Sequence, residues 1–87
     1  MAELSPLLTM ALTGEVPEGF SLLDEGDIMT VLFEAEKLGL DVESATLAKV
    51  SKPLAIEKLL KLGLISLEGG YVKPKISEAE WERIKRG

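Results

Sequence analysis

Apolar residues recur at helical spacing in several stretches of this chain and alternate in one short stretch. Leu4, Leu7, Leu8 and Leu12 predict a first helix over residues 4–12. Ser5 is placed to cap it, and Pro6 falls in its first turn, where no N–H is needed. Thr13–Gly19 reads as a loop with two glycines and a proline. Phe20, Leu22 and Leu23 follow as expected buried anchors. Asp24–Leu38 predicts the longest helix, with Ile28, Val31, Leu32, Ala35 and Leu38 on one face. Met29 and Phe33 form a second stripe, roughly 100–140° around the axis from Ile28. Gly39 is a natural left-handed stop.

A short helix begins at Asp41 or Ser44 and reaches about Val50, with Ala45, Leu47, Ala48 and Val50 available to a core. Lys52, before Pro53, resists helical geometry and marks a break. The next helix is predicted from Pro53 to Gly63, capped by Ser51 or Lys52. Ala55, Ile56, Leu59, Leu60 and Leu62 cover its apolar arc. Glu57, Lys58 and Lys61 oppose them, with Leu54 beside these in the first turn. Alternation around Gly69-Gly70 predicts a hairpin pairing Leu67 with Val72 and turning Ile65 the same way. Ser66, Tyr71 and Lys73 face outward, and Pro74 is expected to confine the second strand to a sheet edge. Ser77-Glu78-Ala79-Glu80 has the form of a capping box for a last helix. Trp81 and Ile84 share a face of that helix, with Trp81 expected in the core.

Composition narrows the chemistry. The chain has 87 residues and 46% apolar content, which suits one small domain with a real core. Cysteine and histidine are both absent, which excludes disulfides, thiol chemistry, Cys/His zinc sites and histidine acid–base catalysis. Met1–Leu12 carries Glu3 where an export signal carries a base, and its apolar run is broken by Ser5, Pro6 and Thr9. A cytoplasmic protein with no membrane span is therefore expected. Asn and Gln are missing too, while Lys (8) and Glu (12) are abundant, a composition matched by heat-adapted proteins or by chance in a short chain.

The net charge of −5 hides a division: residues 1–43 carry −9 and residues 44–87 carry +4. A polyanion would therefore meet the second half.

The pair Leu47-Ala48, the run Leu59-Leu60-Lys61-Leu62-Gly63-Leu64-Ile65 and the hairpin after it resemble the winged helix-turn-helix superfamily over residues 24–76. The resemblance implies an α+β fold: a three-helix core with a β-hairpin wing, here residues 24–87, with a C-terminal helix and an N-terminal helical extension over 1–23. The 15 positions from Ala48 to Gly63 are more than a turn shorter than in many transcriptional regulators of this fold. The implied function is DNA binding in transcription regulation, with the third helix and wing on double-stranded DNA. The candidate nucleic-acid contacts are Lys49, Ser51, Lys52, Lys58, Lys61, Lys73 and Lys75.

Arg, Asn and Gln are the usual bidentate readers of bases. This chain has no Asn or Gln, and its arginines are Arg83 and Arg86 at the far end. Binding is thus expected to be phosphate-dominated and of low specificity, with a log–log salt slope near about −5 for six lysine contacts. The competing reading is an adaptor that docks on another protein through its acidic first half or the Met29/Phe33 stripe. Leu7, Leu8, Met29 and Phe33 are the candidate dimer or partner residues, and a homodimer is one expected outcome. A continuous basic face through Lys52, Lys58, Lys61 and Lys73 favours DNA; interruption by Glu57 and Glu68 favours docking. No enzyme, cofactor or metal is expected: the chain has no phosphate loop or nucleophile constellation, and Asp24, Glu25 and Asp27 are explained by the dipole of the helix they open.

Overall fold

The computed structural model describes residues 4–87; the expectation about Glu3, and the first three residues of the 1–23 extension, lie outside the described residues. The chain is α+β. Helices α1 (Pro6–Thr13), α2 (Glu25–Leu38), α3 (Ser44–Lys49), α4 (Ala55–Lys61) and α5 (Glu78–Lys85) accompany strands β1 (Val42–Glu43), β2 (Ile65–Glu68) and β3 (Tyr71–Pro74). The strands form one antiparallel sheet in the order β1-β3-β2. No helix among the described residues is long and apolar enough to cross a membrane.

Local signals set the helix ends. Ser5 accepts from the Leu8 amide at the start of α1 and donates to the Glu34 carboxylate at 2.6 Å, tying α1 to α2. Asp24 and Asp27 cap α2 reciprocally, each carboxylate accepting from the other's amide. This gives the acids at the start of α2 a structural role. Gly39 closes the helix at φ 70°. Ser77 caps α5 by accepting from the Glu80 amide.

One core runs through the molecule. Leu8, Met10 and Ala11 of α1 join Ile28, Met29, Val31, Leu32 and Phe33 of α2, with Leu47, Leu59, Ile65 and Val72 from the remaining elements. Helix α1 thus contributes to the same core, and it packs on both α2 and α3. Trp81 is buried as expected, its indole N–H without a hydrogen-bond partner among the described residues.

Several expectations are corrected. Phe20 and Leu22 are exposed; of the three expected anchors only Leu23 is buried, because only Leu23 is pinned by backbone hydrogen bonds to the turn after α3. Leu38 and Ile84, at the last turns of their helices, project past the core. β1 escaped the sequence reading. Val42 pairs with Val72 and Glu43 with Tyr71, which puts β3 in the middle of the sheet instead of at its edge. Pro74 is tolerated there because Lys75 donates to the Leu64 carbonyl of the β2 side. The proline nitrogen therefore faces the other side, where two-residue β1 has already ended. The Leu67–Val72 register is as expected, but Leu67 sits at the hairpin tip and is exposed.

Burial of Phe33 predicts that Phe33→Ala will destabilise the fold by about 3–5 kcal/mol. Chemical denaturation at two protein concentrations checks this. A loss below about 1 kcal/mol would contradict the core assignment.

Candidate contact surface on helices α3 and α4

The surface is shaped by how the chain passes from α3 to α4. The Leu23 amide donates to the Val50 carbonyl and the Lys52 amide donates to the Leu23 carbonyl, both at 2.8 Å, so the entry to α2 and the turn after α3 form a short parallel bridge. Ser51 is buried and its hydroxyl donates to the Leu47 carbonyl at 2.6 Å. This corrects two expectations. Ser51 neither caps the next helix nor offers its hydroxyl to a phosphate, because back-bonding to α3 uses it.

Pro53 follows, and then Leu54 at φ 67°, the one non-glycine at positive φ among the described residues. The predicted start at Pro53 is therefore wrong by two residues. The helix begins at Ala55, with Leu54 in its N-cap position and no side-chain cap. A left-handed leucine costs roughly 1–2 kcal/mol in an L-residue chain, so the surrounding hydrogen bonds must hold it. Ala55 and Leu59 anchor the inner face of α4. Gly63, at φ 74°, turns the chain so that the Leu64 amide meets the Leu59 carbonyl and β2 can start.

The groove between α3 and α4 is largely apolar. It measures about 450 Å³ and is lined by Ala45, Ala48, Pro53, Leu54, Ile56 and Leu60. Lys52 and Glu57 are its charged members. Leu54 is 62% exposed and Leu62, assigned to the core arc by its spacing, is 69% exposed. Ala45 and Ala48 line this surface as well, against the expectation that they serve the core. One signal for the groove stood in the sequence: Leu54 fell among Glu57, Lys58 and Lys61 on the charged arc.

The candidate lysines do not act alike. Lys52, Lys58 and Lys61 are exposed and in no ion pair among the described residues. Glu57 stands one turn before Lys61 and shares the groove with Lys52, which puts a carboxylate among them; no Glu57–Lys61 pair forms. Lys49 is exposed at the end of α3. Its Cδ would lie 3.3 Å from a Cβ added to Gly14, so its stem rests on the end of α1. Lys73 is bound to Asp41 at 2.7 Å across the sheet. The hydrogen bond to Asp41 holds its ammonium above the ordinary lysine value of 10.5. Lys75 is exposed just beyond β3. Leu8, Met29 and Phe33 are buried inside the chain and Leu7 is half-buried, so the Met29/Phe33 stripe is covered by the chain itself.

Among known protein families, curated proteins and solved structures, none matches this chain.

Two outcomes follow from this geometry. Leu54→Gly should leave stability within about 1 kcal/mol of the parent, relief of left-handed strain offsetting the freedom gained by the unfolded chain. Leu54→Val should be less stable than Leu54→Gly, since a β-branched residue fits positive φ worst. Thermal denaturation of the pair checks this, and the reverse order would contradict the backbone assignment. Separately, Lys73 should titrate above the ordinary lysine value of 10.5 by NMR and fall toward it in Asp41→Asn. A raised folded value means that the pair's stabilisation is complete below pH 10.5 and fades as pH rises through the elevated value. An unchanged Lys73 titration in Asp41→Asn would break the assignment.

Proposed function

We propose that this chain is a protein-docking module whose contact surface is the apolar groove between α3 and α4. The observation that carries the reading is the outward Leu54, held at positive φ over a floor of Ala45, Ala48, Ile56 and Leu60. The element order is compatible with a winged-helix arrangement: α2, α3 and α4 as the helical core, β2 and β3 as the wing, β1 completing the sheet. In that arrangement α4 and the hairpin are the elements that meet DNA. Here they expose Leu54, Leu62, Leu67 and Tyr71. Exposed apolar side chains on these elements gain nothing from a phosphate backbone, whereas a protein partner rewards their burial at about 25 cal/mol per Å².

The charge pattern points the same way. Glu57 lies among the lysines of α4, and Lys73 is held by Asp41. The chain contains no Asn or Gln, and Arg83 and Arg86 lie on or beyond α5, far along the sequence from α4.

A second reading, low-specificity binding to double-stranded DNA, is favoured by one observation: Lys52, Lys58 and Lys61 are exposed and in no ion pair among the described residues. Three such contacts would give a log–log salt slope of about −3.

Two measurements separate the readings. Panning a displayed random-peptide library on the chain should enrich peptides with an apolar anchor, and Ala48→Glu should abolish their retention. Titration with a random-sequence duplex at low salt should show weak binding at most. Tight duplex binding with a slope near about −3, removed by Lys58→Glu/Lys61→Glu, together with no groove-dependent peptide, would overturn docking in favour of DNA.

A further inference from the structure

The groove has a matching surface on the same chain. The loop over residues 14–23 exposes three apolar side chains, Val16 at 38%, Phe20 at 43% and Leu22 at 39%. Exposed Glu15 and Glu18 are interleaved with them. The loop is built, not slack. Gly14 enters it at φ 77° against Thr46 and Lys49 of α3, the Phe20 amide donates to the Pro17 carbonyl at 3.1 Å, and Leu23 closes it on Val50 and Lys52. Both ends are therefore anchored on the elements that frame the groove. A preordered loop loses little conformational entropy on docking.

We infer that the occupant of the α3–α4 groove is the 14–23 loop of a second copy of this chain. The inference rests on the docking reading above and names its partner. Phe20 and its apolar neighbours supply the anchor for Leu54, Ile56 and Leu60. Glu15 and Glu18 meet exposed Lys52 in the groove and Lys49 at the end of α3 beside it, so the charges are complementary as well as the apolar surfaces. Loop and groove sit side by side, so a two-fold axis lets each copy's loop cover the other's groove, and the assembly closes as a dimer. The division of charge into −9 over residues 1–43 and +4 over residues 44–87 then becomes attraction between copies.

The test is sedimentation equilibrium of the full chain from micromolar to millimolar concentration, with Phe20→Ser, Leu54→Gly and Glu15→Lys/Glu18→Lys. All the substituted residues are exposed, and circular dichroism verifies that each variant folds. The expected result is a monomer–dimer equilibrium. Phe20→Ser and Leu54→Gly should each weaken it at least tenfold, and the charge reversal should weaken it most at low salt. A chain that stays monomeric at millimolar concentration, or a dimer indifferent to both apolar substitutions, overturns the inference. A synthetic peptide of residues 14–24 separates the two levels. If the chain is monomeric yet the peptide binds the parent and not Ala48→Glu, the dimer falls and groove docking stands. If the chain is monomeric and neither this peptide nor any library peptide binds, both fall.

Discussion

The surface of this protein depends on six residues, Val50 to Ala55, and on the hydrogen bonds that fix them. Leu23 bonds to both sides of Ser51, and the Ser51 hydroxyl bonds back to Leu47. Those bonds fix the chain before Pro53 removes a donor and sets its own φ. Leu54 is then left in the left-handed region, where leucine is costly, because Ala55 must still reach its buried place on α4. The compromise shortens α4 to seven residues and turns an apolar side chain to the outside. The same bridge anchors the end of the 14–23 loop, so one local constraint sets both the groove and the surface that complements it.

Electrostatics follow from that frame. Six candidate lysines in the second half left open whether they make one continuous basic face. In space the sheet brings Asp41 to Lys73, and the short α4 keeps Glu57 beside the groove with Lys52. What remains is Lys52 in the apolar groove and the neighbouring pair Lys58 and Lys61 exposed on α4, a pattern suited to steering an acidic, partly apolar partner. The ion pairs are exposed and add little to stability; their effect is on which charges stay available.

Elements with local signals were legible in the sequence. α1 and α2 carry their caps and stripes in the residue order, and Gly69-Gly70 set the Leu67–Val72 register correctly. β1 was not legible, since two residues have no period, and it exists only because β3 is there to pair with it. The central place of β3 followed from β1 and was missed with it. Phe20 and Leu22 were expected inside as large apolar residues and Leu62 by its helical spacing, but only Leu23 is held by the bridge to the turn after α3, and α4 ends at Lys61. Those misassigned apolar residues lie in the loop and at the end of α4, and Leu54, noted on the charged arc, was the one visible sign of the contact surface.

The central claim is that the α3–α4 face is an apolar contact surface. The most direct measurement is methyl and amide NMR on labelled chain, once as its own concentration rises and once as a random-sequence duplex is added at low salt. Leu54, Ile56 and Leu60 should shift together with Val16 and Leu22 in the first series, and stay in place in the second. Silence in the first series, with shifts centred on Lys58 and Lys61 in the second, would contradict the claim.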